Sequence, residues 1–120
     1  MERPLRLGLK KNDRIHRERD LSRGIRQGKV VSDRRLRLHM IANGLGRSRM
    51  AVLVSVRHGP AVKRNRIKRV CREAFRLTRP ELPAGYDYVL RPQLGYEPVL
   101  EELQQSLRKL SRAGAQEAKP

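Results

Sequence analysis

The sequence is poor in several residue types that would otherwise suggest a particular chemistry. Its 120 residues include one cysteine, no tryptophan, one phenylalanine and three tyrosines. Because Cys71 has no second cysteine to pair with, an intramolecular disulfide and a cysteine-rich zinc site are excluded, and a reducing compartment is favoured. No apolar run reaches the roughly 18 residues of a membrane span, and the N-terminus lacks the apolar stretch of a secretory signal. The sequence therefore predicts a soluble, cytoplasmic protein with no membrane partner.

Acidic residues are also few beside the basic ones. The chain has 29 Lys and Arg against 12 Asp and Glu, a formal net charge of +17. A charge of this size repels itself in a compact chain, so it is most readily tolerated where a polyanion neutralises it. Nucleic acid is the leading candidate partner, an anionic membrane surface is the second, and a solvated surface without a partner is the third.

The apolar spacing of the first half predicts a helix followed by a pair of strands. A short helix is expected over residues 17–27, with Gly28 as its C-terminal glycine. Residues 34–42 alternate in the manner of a half-buried strand, and residues 49–57 form the near-continuous apolar run typical of a central strand. Asn43-Gly44 favours a tight turn between them. The pattern therefore predicts that these two strands form a hairpin.

The second half predicts helix, strand and helix. Apolar side chains recur at every third or fourth position from Ile67 to Thr78, which places them on one stripe of a helix. Residues 86–91 alternate again, and residues 98–112 carry a leucine stripe behind Pro98, as expected at a helix start. The order helix, two or three strands, helix, strand, helix predicts an α+β two-layer sandwich with a mixed sheet of about four strands.

The length of the chain suits a single domain. Residues 14–113 are expected to form that domain. Residues 1–13 are predicted to be a basic arm, and residues 114–120 are predicted to be a tail that frays.

The predicted second helix carries the densest cluster of positive charge, in the segment KRNRIKRVCREAF at residues 63–75. At about 100° per residue, one arc beside the apolar stripe contains Arg64, Asn65, Lys68, Arg69, Arg72 and Arg76. These like charges repel one another in the free protein, and a merely solvated face would contain more acids. Arg can bind a phosphate through two hydrogen bonds and Lys acts as a point charge, so the arc is predicted to bind RNA through its backbone and shape.

The same segment, extended to AVKRNRIKRVCREAFRL at residues 61–77, resembles the signature of the protein subunit of bacterial ribonuclease P, with its Arg-Asn-Arg core. Residues 14–28 are similar to the first helix of that family, RMAVLVSV to its central strand, and GYDYVLRP to its last strand. The resemblance covers about residues 14–112. It implies a two-layer α/β sandwich of the ribosomal protein S5 domain 2-like type.

The resemblance also implies a role in a ribonucleoprotein endoribonuclease. In that family an RNA subunit cleaves precursor tRNA to make the mature 5′ end, with Mg²⁺ held mainly by the RNA and the substrate. No catalytic or metal-binding residue is then expected in the protein, and no obligate protein partner. The motif positions expected to contact the catalytic RNA are Arg64, Asn65, Arg66, Lys68, Arg69 and Arg72. A cleft between the first helix and the sheet is expected to hold the 5′ leader through Leu21 and Ile25, with Arg14, Arg35, Arg37 and Arg57 as charge partners.

Two other classes of protein stay open on the residues alone. A small ribosomal protein would share the charge and the sandwich, but it would bind ribosomal RNA and leave precursor tRNA cleavage unchanged. An independent protein nuclease would need acidic metal ligands in one place, and the acids show no such grouping along the sequence. The three histidines, His16, His39 and His58, are predicted to be satisfied or solvent-facing rather than catalytic, and Cys71 to be a small core residue.

Overall fold

The computed structural model describes residues 11–118, without the side chains of residue 12 and residues 116–118. The elements in chain order are α1 (Glu18–Gln27), β1 (Lys29–Ser32), β2 (Leu36–Ala42), β3 (Arg49–Val52), α2 (Ala61–Thr78), β4 (Tyr86–Pro92) and α3 (Leu100–Ala118). The strands form one mixed sheet in the order β1-β2-β4-β3. This architecture confirms the predicted α+β class. Within the described part of the chain, no helix has the length and apolar character needed to cross a membrane.

The predicted hairpin between the second and third strands is wrong. β4 lies between β2 and β3, antiparallel to β2 and parallel to β3. The parallel pair requires a crossover, and α2 provides it. The Asn43-Gly44 turn therefore does not join paired strands. It leads instead into a loop in which the Asn43 side chain donates to the carbonyl of Arg47 at 3.0 Å.

The roles of the central and edge strands also differ from the prediction. β3 ends at Val52 and lies at one edge of the sheet, whereas β4 lies inside it and is buried from Asp87 to Leu90. The hairpin that does form joins β1 to β2. β1 has only four residues and presents only Val31 to the core, so its sequence carries little alternation to detect.

The core lies between one face of the sheet and the layer formed by α2 and α3. β2 and β4 contribute Leu36, Leu38, Met40, Tyr88 and Leu90, and the two helices contribute Ile67, Cys71, Ala74, Phe75, Leu103, Leu107 and Leu110. The predicted stripe from Ile67 to Thr78 is thus confirmed, with Cys71 as a buried core thiol. Burying one side chain of the Leu or Phe type contributes about 1.5–3 kcal/mol. The two helices are therefore firmly anchored, and the opposite side of α2 faces outward.

α1 lies on the other face of the sheet, within the residues predicted for it. Two glycines allow its close approach. A Cβ at Gly24 would lie 3.3 Å from Val89 Cγ2, and a Cβ at Gly28 would clash with the Gly24 carbonyl oxygen and lie 2.9 Å from that of Met40. Gly28 has a φ of −70°, so it does not adopt the left-handed conformation typical of a C-terminal glycine. Glycine is required at position 28 because a side chain would not fit beside these carbonyls, and not because the backbone needs a left-handed turn.

Both predicted ends of the domain need correction. Asp13, assigned to the arm, is buried and accepts a hydrogen bond from Arg79 at 2.8 Å, while Ile15 N donates to the carbonyl of Met50. α3 continues through Ala118, so the tail predicted to fray from residue 114 is helical up to that point. Gly114 lets α3 approach the sheet at Met40. Residues 1–10 and 119–120 lie outside the described residues.

Candidate nucleic-acid interface

A basic groove runs along the side of α2 that faces away from the core. It has a volume of about 460 Å³, and its basic and amide residues are Arg14, Asn65, Lys68, Arg69, Arg72 and Arg76. The helical period explains the set, because the residues between them, such as Cys71 and Phe75, point into the core. Arg14 joins the groove from outside α2, from a segment that bridges to Met50 of β3. We call this set the α2 groove.

Positive charge in the α2 groove is only partly neutralised. Glu73 lines the groove and binds Arg76, which holds the pKa of the Glu73 carboxyl below its usual value. Lys68 and Arg69 have no carboxylate partner within residues 11–118. Burial lowers the pKa of Arg72, and the neighbouring charge of Arg14 lowers it further. A bound polyanion would relieve this repulsion, so the groove is suited to phosphates.

Arg64 and Arg66 do not line the α2 groove, although both belong to the predicted RNA-contact set. Two residues along a helix differ by about 200°, so the two arginines of the Arg-Asn-Arg motif face different sides. Arg66 lies near Glu97, whose pKa is lowered first by a hydrogen bond from Lys63 and also by Arg66. Four of the six predicted residues therefore share one groove, and these two extend the basic surface around the N-terminal half of α2.

A second groove lies where β2 begins and β4 ends. It has a volume of about 760 Å³ and is lined by Arg37, Arg57 and Arg91 together with the apolar Leu53, Pro92 and Leu94. Arg37 and Arg91 are direct partners across the antiparallel pair. Like charges placed opposite each other destabilise a sheet, and neither arginine has a carboxylate partner in the part of the chain that is described. We call this site the sheet groove. Its arginines suit the phosphates of a single strand, and its apolar side chains suit the faces of the bases.

His58 positions Arg57 at the sheet groove. Its Nδ1 accepts a hydrogen bond from Ser55 N at 3.1 Å, and its Nε2 donates to the carbonyl of Pro92 at 3.0 Å. A ring that accepts at one nitrogen and donates at the other is neutral, with its proton on Nε2. The link between β3 and α2 is thereby tied to the end of β4. The prediction of a satisfied histidine is confirmed at this position.

His39 lies between the sheet groove and α1. It is 4% exposed, and neither ring nitrogen has a hydrogen-bond partner among residues 11–118. Burial lowers the pKa of His39, and the charges of Arg91 and Arg37 lower it further, while the backbone of Ile25, which is near but does not meet hydrogen-bond geometry, acts in the opposite direction. The ring is therefore kept neutral. Its position also shows that α1 borders the sheet groove at Ile25.

The predicted leader-binding set is only partly brought together. Arg37 and Arg57 lie in the sheet groove, and Ile25 lies beside it, with Leu21 half-buried one turn earlier on α1. Arg14 and Arg35 lie outside the sheet groove. Arg14 belongs to the α2 groove, and Arg35 donates to the carbonyl of Glu102 on α3 at 3.0 Å. Arg35 lies in the turn before β2, which begins at Leu36, so the strand alternation that directs Arg37 does not extend to it.

Arg91 is the functional candidate that sequence reasoning missed. The alternation of residues 86–91 places Arg91 on the opposite face from Tyr86, Tyr88 and Leu90, and that was the available signal. Its importance depends on its pairing with Arg37 in the register of β2 and β4. Arg37 lies 54 positions earlier in the chain. A strand partner of this kind is not readable from one segment alone.

The described residues contain no cluster of metal-ligating side chains. No three His, Cys, Asp or Glu side chains gather closely enough there to hold a metal ion. The buried acids are engaged by cations instead, as with Asp87, which binds Arg49 through both carboxylate oxygens at 2.8 and 2.6 Å. A paired carboxylate of this kind is a poor candidate for a metal ligand or a general base.

Comparison with known proteins decides the family. The family model described as Ribonuclease P matches residues 9–113. The chain belongs to the ribonuclease P protein family. It is 41% identical over 81 residues to the ribonuclease P protein component of Pelotomaculum thermopropionicum, covering 68% of this chain and 72% of the relative. It is 33% identical over 99 residues to that of Caldanaerobacter subterraneus, covering 81% and 84%.

The fold agrees with that of a solved member of the family. The structure of the ribonuclease P protein from Thermotoga maritima matches with a TM-score of 0.75 and 26% identity, over 83% of this chain and 96% of that one. Both grooves of this ribonuclease P family member lie within the residues that the family model matches. α3 extends beyond the end of that match.

Proposed function

We propose that this chain is the protein subunit of a cytoplasmic ribonuclease P ribonucleoprotein that removes the 5′ leader of precursor tRNA. The α2 groove binds the catalytic RNA, and the sheet groove binds the single-stranded leader. The observation that carries the proposal is that a member of this family has two cationic grooves in which most of the cations lack a carboxylate partner within residues 11–118. Protein binding then positions substrate and catalyst together, which lowers the entropic part of the barrier.

The chemistry of the α2 groove suits a folded RNA. Arg69 and Arg72 can each donate two hydrogen bonds to a phosphate, Lys68 adds a point charge, and Asn65 can donate to and accept from a sugar or base edge. No aromatic side chain lines this groove. Its contacts are therefore with backbone and shape rather than with stacked bases, as expected for A-form RNA.

The sheet groove has a different composition, which suits an unpaired strand. Arg37, Arg57 and Arg91 can neutralise successive phosphates, while Leu53, Pro92 and Leu94 offer apolar surface to the bases. Aromatic side chains usually supply the stacking in such sites. Aliphatic residues occupy these places here, including Leu21 and Ile25 on α1. The leader is then held mainly by charge and by apolar contact, with little dependence on its sequence.

In this proposal the RNA carries out the cleavage. Both nitrogens of His58 are engaged in hydrogen bonds and His39 is buried, so neither is placed to act as a general base on a bound substrate. The magnesium ions that activate water and stabilise the leaving oxygen are assigned to the catalytic RNA and the substrate. The protein contributes cations that lower the repulsion between these two polyanions.

The test is 5′ cleavage of a precursor tRNA by the cognate catalytic RNA at low magnesium concentration, with and without this protein. We expect the protein to stimulate cleavage, and the double variant Lys68→Gln, Arg69→Gln to lose most of that stimulation. The matched control is Arg34→Gln, Arg112→Gln. It removes two exposed arginines that lie outside both grooves and have no carboxylate partner in the described part of the chain.

Two results would contradict the proposal. One is the absence of stimulation by the wild-type protein, accompanied by tight binding to ribosomal RNA, which would favour the ribosomal alternative. The other is an equal loss in the control variant, which would mean that total charge matters rather than the α2 groove.

A further inference from the structure

Two neighbouring cavities lie where the turn before β2 meets the first part of α3. The larger one has a volume of about 380 Å³ and is lined by Arg34, Arg35, Leu94, Gly95, Tyr96 and Glu102. The smaller one, of about 270 Å³, is lined by Asp33, Arg34, Arg35, Gln105, Ser106 and Lys109. They share Arg34 and Arg35, and only Leu94 also belongs to the sheet groove. We call the larger one the tyrosine cavity and the smaller one the lysine cavity.

The tyrosine cavity offers a flat ligand a fixed surface. The hydroxyl of Tyr96 donates to Glu102 Oε1 at 2.9 Å and accepts from Val99 N at 3.2 Å. These two bonds hold the ring at the start of α3, so little conformational entropy is lost when a ligand packs against it. Leu94 adds an apolar side chain to the same cavity. The combination suits a nucleobase.

Glu102 has acceptor capacity that the protein does not use. Its Oε1 accepts from Tyr96 and lies 3.9 Å from Arg35 Nε. Its Oε2 accepts no hydrogen bond from the described residues, and the side chain is 42% exposed. Because an ionised carboxylate has about four acceptor sites, Glu102 can still bind a ligand that brings two donors.

Guanine is the base that matches such a carboxylate. The N1–H and the N2 amino group of guanine are adjacent donors on its Watson–Crick edge. Adenine and cytosine each place one amino donor beside a ring nitrogen that is an acceptor, and a carboxylate repels that nitrogen. Uracil has one donor between two carbonyl groups. The chemistry of Glu102 therefore selects guanine.

The lysine cavity suits phosphate groups. Arg34 lines both cavities and has no carboxylate partner in the described part of the chain. Lys109 Nζ lies 3.3 Å from Asp33 Oδ2, but the Lys109 side chain is 65% exposed and its ammonium group has three donors. The other oxygen of Asp33 accepts from the backbone of Arg35 and Leu36 at 2.8 and 2.9 Å. The charge of Asp33 is thus compensated within the turn, and Arg34 and Lys109 can bind an anion.

We propose that the two cavities together bind one free guanine nucleotide, with its base in the tyrosine cavity and its phosphates in the lysine cavity. Glu102 selects the base, Tyr96 packs against it, and Arg34 and Lys109 bind the phosphates. The ligand is a free nucleotide because the lysine cavity has room for a short phosphate chain but not for a further nucleoside. The site does not depend on the proposed function, since neither RNA groove supplies its charged residues.

The experiment is equilibrium dialysis of the full-length protein against labelled GDP, IDP and ADP. ADP has the same charge as GDP, so it reports binding to the basic surface in general. IDP keeps the N1–H of guanine and lacks the N2 amino group. The variants are Glu102→Gln, which keeps an acceptor for Tyr96 but loses the carboxylate, and Arg34→Gln. The matched control is Arg112→Gln, which removes an exposed arginine outside both cavities.

We expect wild type and control to bind GDP about tenfold more tightly than ADP, with IDP between them, because each missing donor leaves Glu102 less well satisfied. Glu102→Gln should bind GDP as weakly as ADP. Arg34→Gln should weaken GDP binding about fivefold, because one charge-assisted phosphate contact is lost.

Equal affinities of the wild-type protein for GDP and ADP would overturn the inference, because the nucleotides would then bind through their charge alone. A preference for GDP that survives in Glu102→Gln would do the same, as would an equal loss of GDP binding in Arg34→Gln and Arg112→Gln. The assay contains no RNA, so its outcome is separate from that of the cleavage test.

Discussion

The charged residues fall into two groups, according to whether an opposite charge holds them. Paired residues tie elements of the fold together. Arg49 joins β3 to β4 through Asp87, and Arg79 joins α2 to the segment before α1 through Asp13. Many of the cations without a carboxylate partner in the described part of the chain line the two grooves, and others, such as Arg34 and Arg112, lie outside them. Acids such as Asp87 and Asp13 are held by cations inside the fold, so they do not neutralise the arginines of the sheet groove.

His39 makes the stability of the protein depend on pH. Its folded-state pKa is lowered from an ordinary value of about 6.5, first by burial and then by Arg91 and Arg37. The unfolded chain therefore binds a proton that the folded chain rejects, and stability should fall as the pH drops below about 6.5. The measurement is the thermal midpoint of wild type and His39→Leu between about pH 8 and pH 5.

The variant should lose the part of the pH dependence that His39 causes. It should not lose stability at neutral pH, because it removes a buried ring whose nitrogens lack partners and keeps a similar volume. His16→Leu is the control, since its ring is exposed. An unchanged slope in His39→Leu would show that other groups cause the acid sensitivity.

At the scale of elements, the position of α1 depends on how closely its end approaches the sheet. α1 has few large apolar side chains, so its helicity comes from tertiary packing more than from its own propensity. Gly28 passes beside the carbonyls of Gly24 and Met40, where a side chain does not fit. This contact sets the angle at which α1 borders the sheet groove.

Gly28→Ala should therefore destabilise the protein by about 2 kcal/mol, within the range of overpacked sites. The control is Gly24→Ala. Its added methyl group would lie 3.3 Å from Val89 Cγ2 and 3.9 Å from Ile41 Cγ2, a milder crowding than at Gly28, and a gain of up to about 1 kcal/mol in helix propensity offsets it. Chemical denaturation of the three proteins gives the comparison. Equal stability of Gly28→Ala and wild type would contradict the close approach.

At the scale of the whole molecule, the sheet separates the two cationic grooves. α2 packs on one face, whereas Arg37 and Arg91 alternate with buried residues and point to the face that carries α1. The α2 groove and the sheet groove therefore face different directions. Under the proposed function, this separation gives the catalytic RNA and the leader a groove each.

We expect the two grooves to be separable by mutation. Arg37→Gln, Arg91→Gln should weaken binding of precursor tRNA but not of mature tRNA, and leave assembly with the catalytic RNA unchanged. Lys68→Gln, Arg69→Gln should weaken that assembly and lower its log–log salt slope by about 1.4 to 1.8, for two contacts of about 0.7 to 0.9 each. Filter binding with the three RNAs measures both effects. A common loss on all RNAs in either variant would mean that the grooves are not distinct sites.

Removing the cross-strand arginine pair should also have an effect without RNA. Arg37 and Arg91 repel each other in the free protein, so the double variant should be slightly more stable than wild type, by about 0.5 kcal/mol. A gain in stability with a loss of leader binding is the pattern expected of a binding site rather than of a structural pair.

The sequence by itself determined the elements and the chemistry of α2. The helices and most strands were predicted because apolar periodicity is local, and each stripe or alternation is complete within one segment. Asn65, Lys68, Arg69 and Arg72 could be assigned to one surface for the same reason, since positions three, four and seven residues apart on a helix lie close together whatever the rest of the fold does.

Only the tertiary structure decided which strands pair and which arginines meet. The Asn43-Gly44 turn favoured a hairpin, but the parallel crossover through α2 brought β4 between β2 and β3. That pairing placed Arg91 beside Arg37, while contacts with β3 and α3 hold Arg14 and Arg35 in other sites. The physical reason is that strand pairing depends on the free energy of burying the whole sheet against two helices. Distant segments contribute to that free energy together, so it cannot be predicted from any one segment.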